Sequence, residues 1–283
     1  MFATVALLAA SICAVWAPPI RLRRVVAPPW ALLFISALVS GLVYGLITPT
    51  GLAALGLLAG ACVLAQHAWD PRTRAALTAI AGVIAVTLAL HIVPGFNNPV
   101  VLSAVMVSDG APPFTQYASV DKAAAGLLIL VFFCCLSTTA EHWRAAAFPT
   151  VLGVCVTPFV VISAALIGGY VAFDPKFPRF SASFLVINLL FTCVAEEAFF
   201  RGLLQERLSR RWPQAQWPVI TASALLFGIA HFAGGAWTVA LATLAGLAYA
   251  LVYAVTRRIE APILTHFAVN AVHFFGFTYP RLA

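Results

Sequence analysis

The chain of 283 residues is 63% hydrophobic and 9% charged, with a mean hydropathy of +1.00 and a net charge of +7. A soluble domain carries about 25% charged residues, so this composition excludes a water-coated globule and places the chain in a bilayer. The basic residues are scattered over several loops instead of gathered on one soluble face, which excludes a nucleic-acid partner.

Apolar runs occur at about residues 2–17, 29–47, 51–68, 75–94, 123–138, 147–172, 182–200, 217–233, 237–256 and 262–278. They lack the period-two alternation of barrel strands, and helices are the other architecture that satisfies its own backbone in lipid. The expectation is an all-α, polytopic transmembrane helical bundle of about ten spans, with eight to ten compatible with the run lengths. The first run is followed by Pro18, Pro19 and the basic residues Arg21, Arg23 and Arg24, with no positive charge before it. That order is the reverse of a secretory signal, so the run reads as a retained helix with its N-terminus outside.

Ten spans with an outside N-terminus put Arg21, Arg23, Arg24, Arg72, Arg74, Arg144, Arg201, Arg207, Arg210, Arg211, Arg257 and Arg258 at or near the cytoplasmic side. Lys122, Lys176, Arg179 and Arg281 fall outside, and twelve against four follows the positive-inside rule. The segment 95–122 reads as an outside loop, with a short interfacial helix over VVLSAVMV, and Asp109, Asp121 and Asp174 read as solvated. Cys13, Cys62, Cys134, Cys135, Cys155 and Cys193 lie in apolar runs without disulfide or zinc-knuckle spacing. Gly41/Gly45 and Gly56/Gly60 have the spacing of close helix contacts.

Chemistry concentrates in the last ninety or so residues. Glu196, Glu197 and Arg201 form E-E-x-x-x-R, Phe227 and His231 form F-x-x-x-H, and His266 and Asn270 form H-x-x-x-N, each on its own expected helix. Ionisable groups in a membrane helix cost roughly 2.5–3.5 kcal/mol each, so they are partnered, interfacial or functional. On an α-helix, Glu197 can pair with Arg201, and Asn270 shares a face with His266 one turn away. Each group alone has a structural explanation as a salt bridge, a hydrogen-bonded histidine or interhelical glue. Three consecutive helices carrying all of them point instead to an active site.

The three motifs, in this order, resemble the CPBP family of intramembrane proteases, which includes CAAX-type endopeptidases and bacterial bacteriocin-processing or abortive-infection proteins. The resemblance covers about residues 180–278. It implies hydrolysis of a peptide bond in a membrane-associated protein or peptide. Glu196 would activate water with the help of His231, His266 and Asn270 would steady the oxyanion, and Glu197, Arg201 and Phe227 would support the site. On this reading residues 1–283 are one membrane domain, with 1–122 adding N-terminal helices and the outside loop to a core at 123–283 whose motifs lie in 196–270.

A zinc alternative uses the same atoms. Glu196, His231 and His266 would make a His₂Glu set with an open fourth position, but H-E-x-x-H is absent. The expected cofactor is therefore none. Two non-protease alternatives remain, a membrane immunity or scaffold protein and a proton-coupled transporter, although no inverted repeat favours the latter. Fourteen arginines against two lysines, with abundant alanine and valine, suggest a bacterial inner-membrane protein. One tension arises from helix lengths: from Trp217, His231 lies about 21 Å along its helix, whereas His266 is one turn into its own, so upright helices could not bring them together.

Overall fold

The computed structural model describes residues 2–22 and 25–283. Each of the ten expected runs is helical: α1 Phe2–Cys13, α2 Pro29–Val43, α3 Pro49–His67, α4 Pro71–Ala89, α5 Val120–Phe133, α6 Ala140–Ile167, α7 Ser181–Arg211, α8 Gln216–Ile229, α9 Ala236–Thr256 and α10 Glu260–Gly276. Five of them (α3, α4, α6, α7 and α9) are long and apolar enough to cross a membrane. The protein is an all-α membrane bundle with two short β-hairpins.

Local chemistry sets the helix starts. Pro29, Pro49 and Pro71 occupy first helical positions, where the missing N–H has no intrahelical partner to lose. Asp70 caps α4 by accepting from the Thr73 backbone N–H at 2.7 Å and its hydroxyl at 2.8 Å. Thr139 caps α6 by accepting from the His142 N–H at 3.2 Å.

The chain divides into two compact units. The first comprises the chain up to Val100, Tyr117–Cys134 and Leu190–Phe199. Within it α1 packs on α2, α3 on α4, and α5 on α1, α3, α4 and the segment Val194–Glu197 of α7. The second comprises Val101–Gln116, Cys135–Leu189 and Phe200–Ala283. There α9 packs against α6, α8 and α10, and α10 against α6. Helix α8 can approach α9 closely because residue 228 is glycine: a Cβ there would lie 1.9 Å from Thr243 Oγ1 and 2.8 Å from the Val239 carbonyl.

Several expectations change. The segment VVLSAVMV is not an interfacial helix: Val100–Val105 forms strand β3, paired with β4 at Phe114–Tyr117, as its β-branched content allows. Ile20–Leu22 and Val25–Ala27 form an antiparallel hairpin with Ile20 opposite Ala27, whereas Arg23 and Arg24 of the basic patch lie outside the described residues. Asp121 is 1% exposed, not solvated. It accepts from Asn98 Nδ2 at 2.9 Å and lies 2.7 Å from His91 Nδ1. The glycine pairs are not close contacts between helices either: Gly56 and Gly60 have open space around them, Gly45 adopts a left-handed φ of +67° after α2, and Gly41 faces Ile47 of the following turn.

We propose the ten-span, N-terminus-outside arrangement for these helices. Single cysteines introduced beside Arg72 and Arg210 are expected to resist a membrane-impermeant thiol reagent in intact cells, and one beside Asp109 to react. Equal labelling of both sets, or the reverse pattern, would refute the arrangement.

Candidate active site

Helix α7 carries Asn188, Glu196, Glu197 and Arg201 and departs from α-helical winding twice. Asn188–Cys193 and Ala198–Gln205 are π-helical and enclose one α-turn, Val194–Glu197, that bears both glutamates. Such i→i+5 stretches are rare and recur at functional sites, because the extra residue in the turn re-aims the side chains that follow.

In the first unit, Glu196 meets a partner that the sequence motifs do not contain. Lys122 Nζ lies 2.6 Å from Glu196 Oε1, with side-chain exposures of 19% and 15%. Glu197 is fully buried.

In the second unit, Phe227, His231, His266 and Asn270 line a cavity of about 330 Å³, and Arg201 packs on Phe227. Its walls include Asn188, Tyr249 and His273 beside His231, His266 and Asn270. Phe227 is the hub. Its ring is 4.8 Å from that of His231 and 5.6 Å, edge-on, from that of His266, and the Arg201 guanidinium stands 4.6 Å above it. Arg201 is fully buried and donates to the Gly246 carbonyl at 2.8 Å.

The expected tension between His231 and His266 does not hold: both line one cavity and both lie against the ring of Phe227. Helix α8 ends at Ile229, and His231 follows it, before Gly234 and Gly235.

Hydrogen bonding orients these groups. The Phe227 carbonyl, an acceptor, lies 2.8 Å from His231 Nδ1, so that nitrogen carries the proton and Nε2 is the basic atom of the neutral ring. His266 is 4% exposed and stacks on Tyr249 at 4.7 Å with the planes 16° apart. Asn270 Nδ2 donates to Asn188 Oδ1 at 3.1 Å, which fixes a carboxamide that has two N–H donors. His273 lines the cavity, and its Nε2 sits 3.1 Å from the Thr278 carbonyl.

The loop before α7 is fastened to the end of α10. Asp174 and Lys176 donate backbone N–H groups to the carbonyls of Gly276 and Phe275 at 2.9 and 2.8 Å. The Ser108 hydroxyl, and then Lys176, hold the Asp174 carboxyl below the ordinary carboxylate range.

Three neighbours were not found by motif reading. Asn188 had a signal, since it is the one carboxamide in the apolar run 182–200. Tyr249 and Lys122 had none, because their relation to the motifs exists only across packed helices. Among the described residues no three His, Cys, Asp or Glu side chains gather as a metal ion would require.

Residues 178–272 match the family model described as type II CAAX prenyl endopeptidase Rce1-like. The matched region belongs to the Rce1-like family. It contains Asn188, all three motifs and Tyr249, whereas Lys122 lies outside it. No curated protein and no solved structure matches the chain. The long apolar helices make this an integral membrane protein, and its residues 178–272 are similar to type II CAAX prenyl endopeptidases.

Proposed function

We propose that the protein is an intramembrane endopeptidase that hydrolyses a peptide bond of a membrane-associated protein or peptide. The observation that carries this reading is the cavity in which His231, with its tautomer set by a carbonyl, stands with His266 and Asn270 inside the Rce1-like region. Glu196 takes a proton from water with the assistance of His231. The hydroxide attacks the scissile carbonyl, and His266 and Asn270 donate to the oxyanion that forms. The collapsing intermediate expels the amine, which receives the proton held by Glu196 and His231. Glu197, Arg201 and Phe227 support the site.

The favoured version uses no metal, and the chemistry of the donor set supports it. His266 is stacked among aromatic rings, and no three His, Cys, Asp or Glu side chains gather as metal ligands among the described residues. The test uses purified protein in lipid nanodiscs with two internally quenched probes, an S-farnesyl peptide ending in a C-a-a-X box and an unprenylated apolar peptide. Cleavage of either is expected, and Asn270→Ala should lower kcat by about 10²–10³-fold, as loss of an oxyanion donor does. Activity should survive chelation and dialysis. Turnover of neither probe would refute the endopeptidase reading. Loss of activity on stripping, restored by one equivalent of zinc, would transfer the same residues to a metal mechanism.

A further inference from the structure

We propose that Lys122 is a positioning residue for the carboxylate of Glu196, contributed by a helix outside the Rce1-like region; the proposal rests on the reading of Glu196 as the base. The geometry is built from several directions within the first unit. Lys122 Nζ donates to Glu196 Oε1 at 2.6 Å, a short charge-assisted bond between two largely buried side chains.

The approach that makes this bond possible is encoded one turn along α5. A Cβ on Gly126 would lie 2.5 Å from both Cα and Cβ of Ala195, the residue before Glu196, so only glycine lets the two backbones pass at this distance. Farther along, Cys134 Sγ lies 3.7 Å from the Ala198 carbonyl. The first turn of α5 is fixed as well. Asn98 Oδ1 accepts from the Val120 N–H at 2.7 Å, and the buried Asp121 accepts from Asn98 and from the backbone N–H of Lys122 itself at 2.8 Å. His91 faces that same carboxylate, and Glu197 follows Glu196 on its own element.

A charge pair is a poor device for merely joining two helices. Replacing a buried ion pair by apolar groups of similar volume is often neutral or stabilising, and the Gly126–Ala195 contact already joins these two. What an ammonium adds is orientation: it holds one carboxylate oxygen and thereby the rotamer of a side chain with three torsions. Lys122 acts through Glu196.

The test separates charge from volume in nanodiscs with the same farnesyl peptide and its unprenylated counterpart. Lys122→Met, which keeps the bulk of the stem, is expected to lower kcat by about 10²-fold with KM within threefold of the parent, measured at a temperature where the variant is folded. Lys122→Arg, which restores the charge, should recover kcat to within about fivefold. In the Glu196→Gln background, Lys122→Met should cause no further loss, as for residues acting as one unit. Retention of kcat by Lys122→Met, with Glu196→Gln inactive, would overturn this inference and leave the reading of Glu196 intact. Equal losses in the Met and Arg variants, with lowered melting temperatures, would also overturn it by reducing Lys122 to a structural role. Full activity of Glu196→Gln would instead remove the reading on which it rests.

Discussion

Glu196→Gln is expected to reduce peptide hydrolysis by about 10²–10⁴-fold while the protein still inserts and purifies as a folded species. Glutamine keeps the shape of the side chain and an oxygen at the position that accepts from Lys122, but it cannot take a proton from water at neutral pH. The loss should therefore appear in kcat, with KM little changed, because an amide in place of the carboxylate removes proton transfer without removing surface that binds the peptide. Glu197→Gln provides the contrast. Its side chain is fully buried, so its replacement should lower yield and melting temperature together with activity. Parental kcat in Glu196→Gln would end the assignment of the base. A Glu197→Gln protein that is stable yet inactive would move that role to Glu197.

The helices were legible because crossing a bilayer is a one-dimensional demand: about 20 apolar residues or a nearby approximation must follow one another, whatever the tertiary contacts. Each run, from 2–17 to 262–278, therefore returned as a helix, with starts moved by proline and capping residues such as Pro71 and Asp70. The hairpin of Val100–Val105 and Phe114–Tyr117 was not legible in the same way. A short apolar stretch has no periodicity to distinguish strand from helix, and here the β-branched Val100 and Val101 and the turn residues Gly110, Pro112 and Pro113 outweigh it. Asp121 was misread for a related reason. Its neighbours in sequence belong to a loop, but the groups that solvate it, Asn98 and His91, are brought from twenty to thirty residues away.

Within the site, the motifs located the residues and left the geometry open. The apparent misfit of His231 and His266 came from assuming upright helices, whereas both histidines lie against the ring of Phe227. The π-helical segments around Glu196 and Glu197 could not be anticipated, since face-sharing rules for residues four apart assume α-helical winding. Lys122 meets Glu196 in the first unit, and Tyr249 meets His266 in the second, through packing between helices that no spacing within one helix encodes.

Arg201→Ala is expected to destabilise the protein by about 3–5 kcal/mol, a loss assembled from separate contacts. The charged donor to the Gly246 carbonyl contributes roughly 1.5–3 kcal/mol. The guanidinium above Phe227 contributes about 2 kcal/mol when desolvated, and the vacated volume adds a cavity cost. Relief of the desolvated charge offsets part of this, which keeps the total within the stated range. In thermal unfolding from nanodiscs the shift should be roughly 6–20 °C downward at 2–4 °C per kcal/mol. Arg201→Lys should recover only a small part, because an ammonium lacks the planar fork that donates to the carbonyl while stacking on the ring. Activity should fall with stability, since Phe227 is the ring on which both His231 and His266 rest. A variant that melts like the parent but has lost turnover would contradict the supporting role and place the Arg201 charge in the chemical step itself.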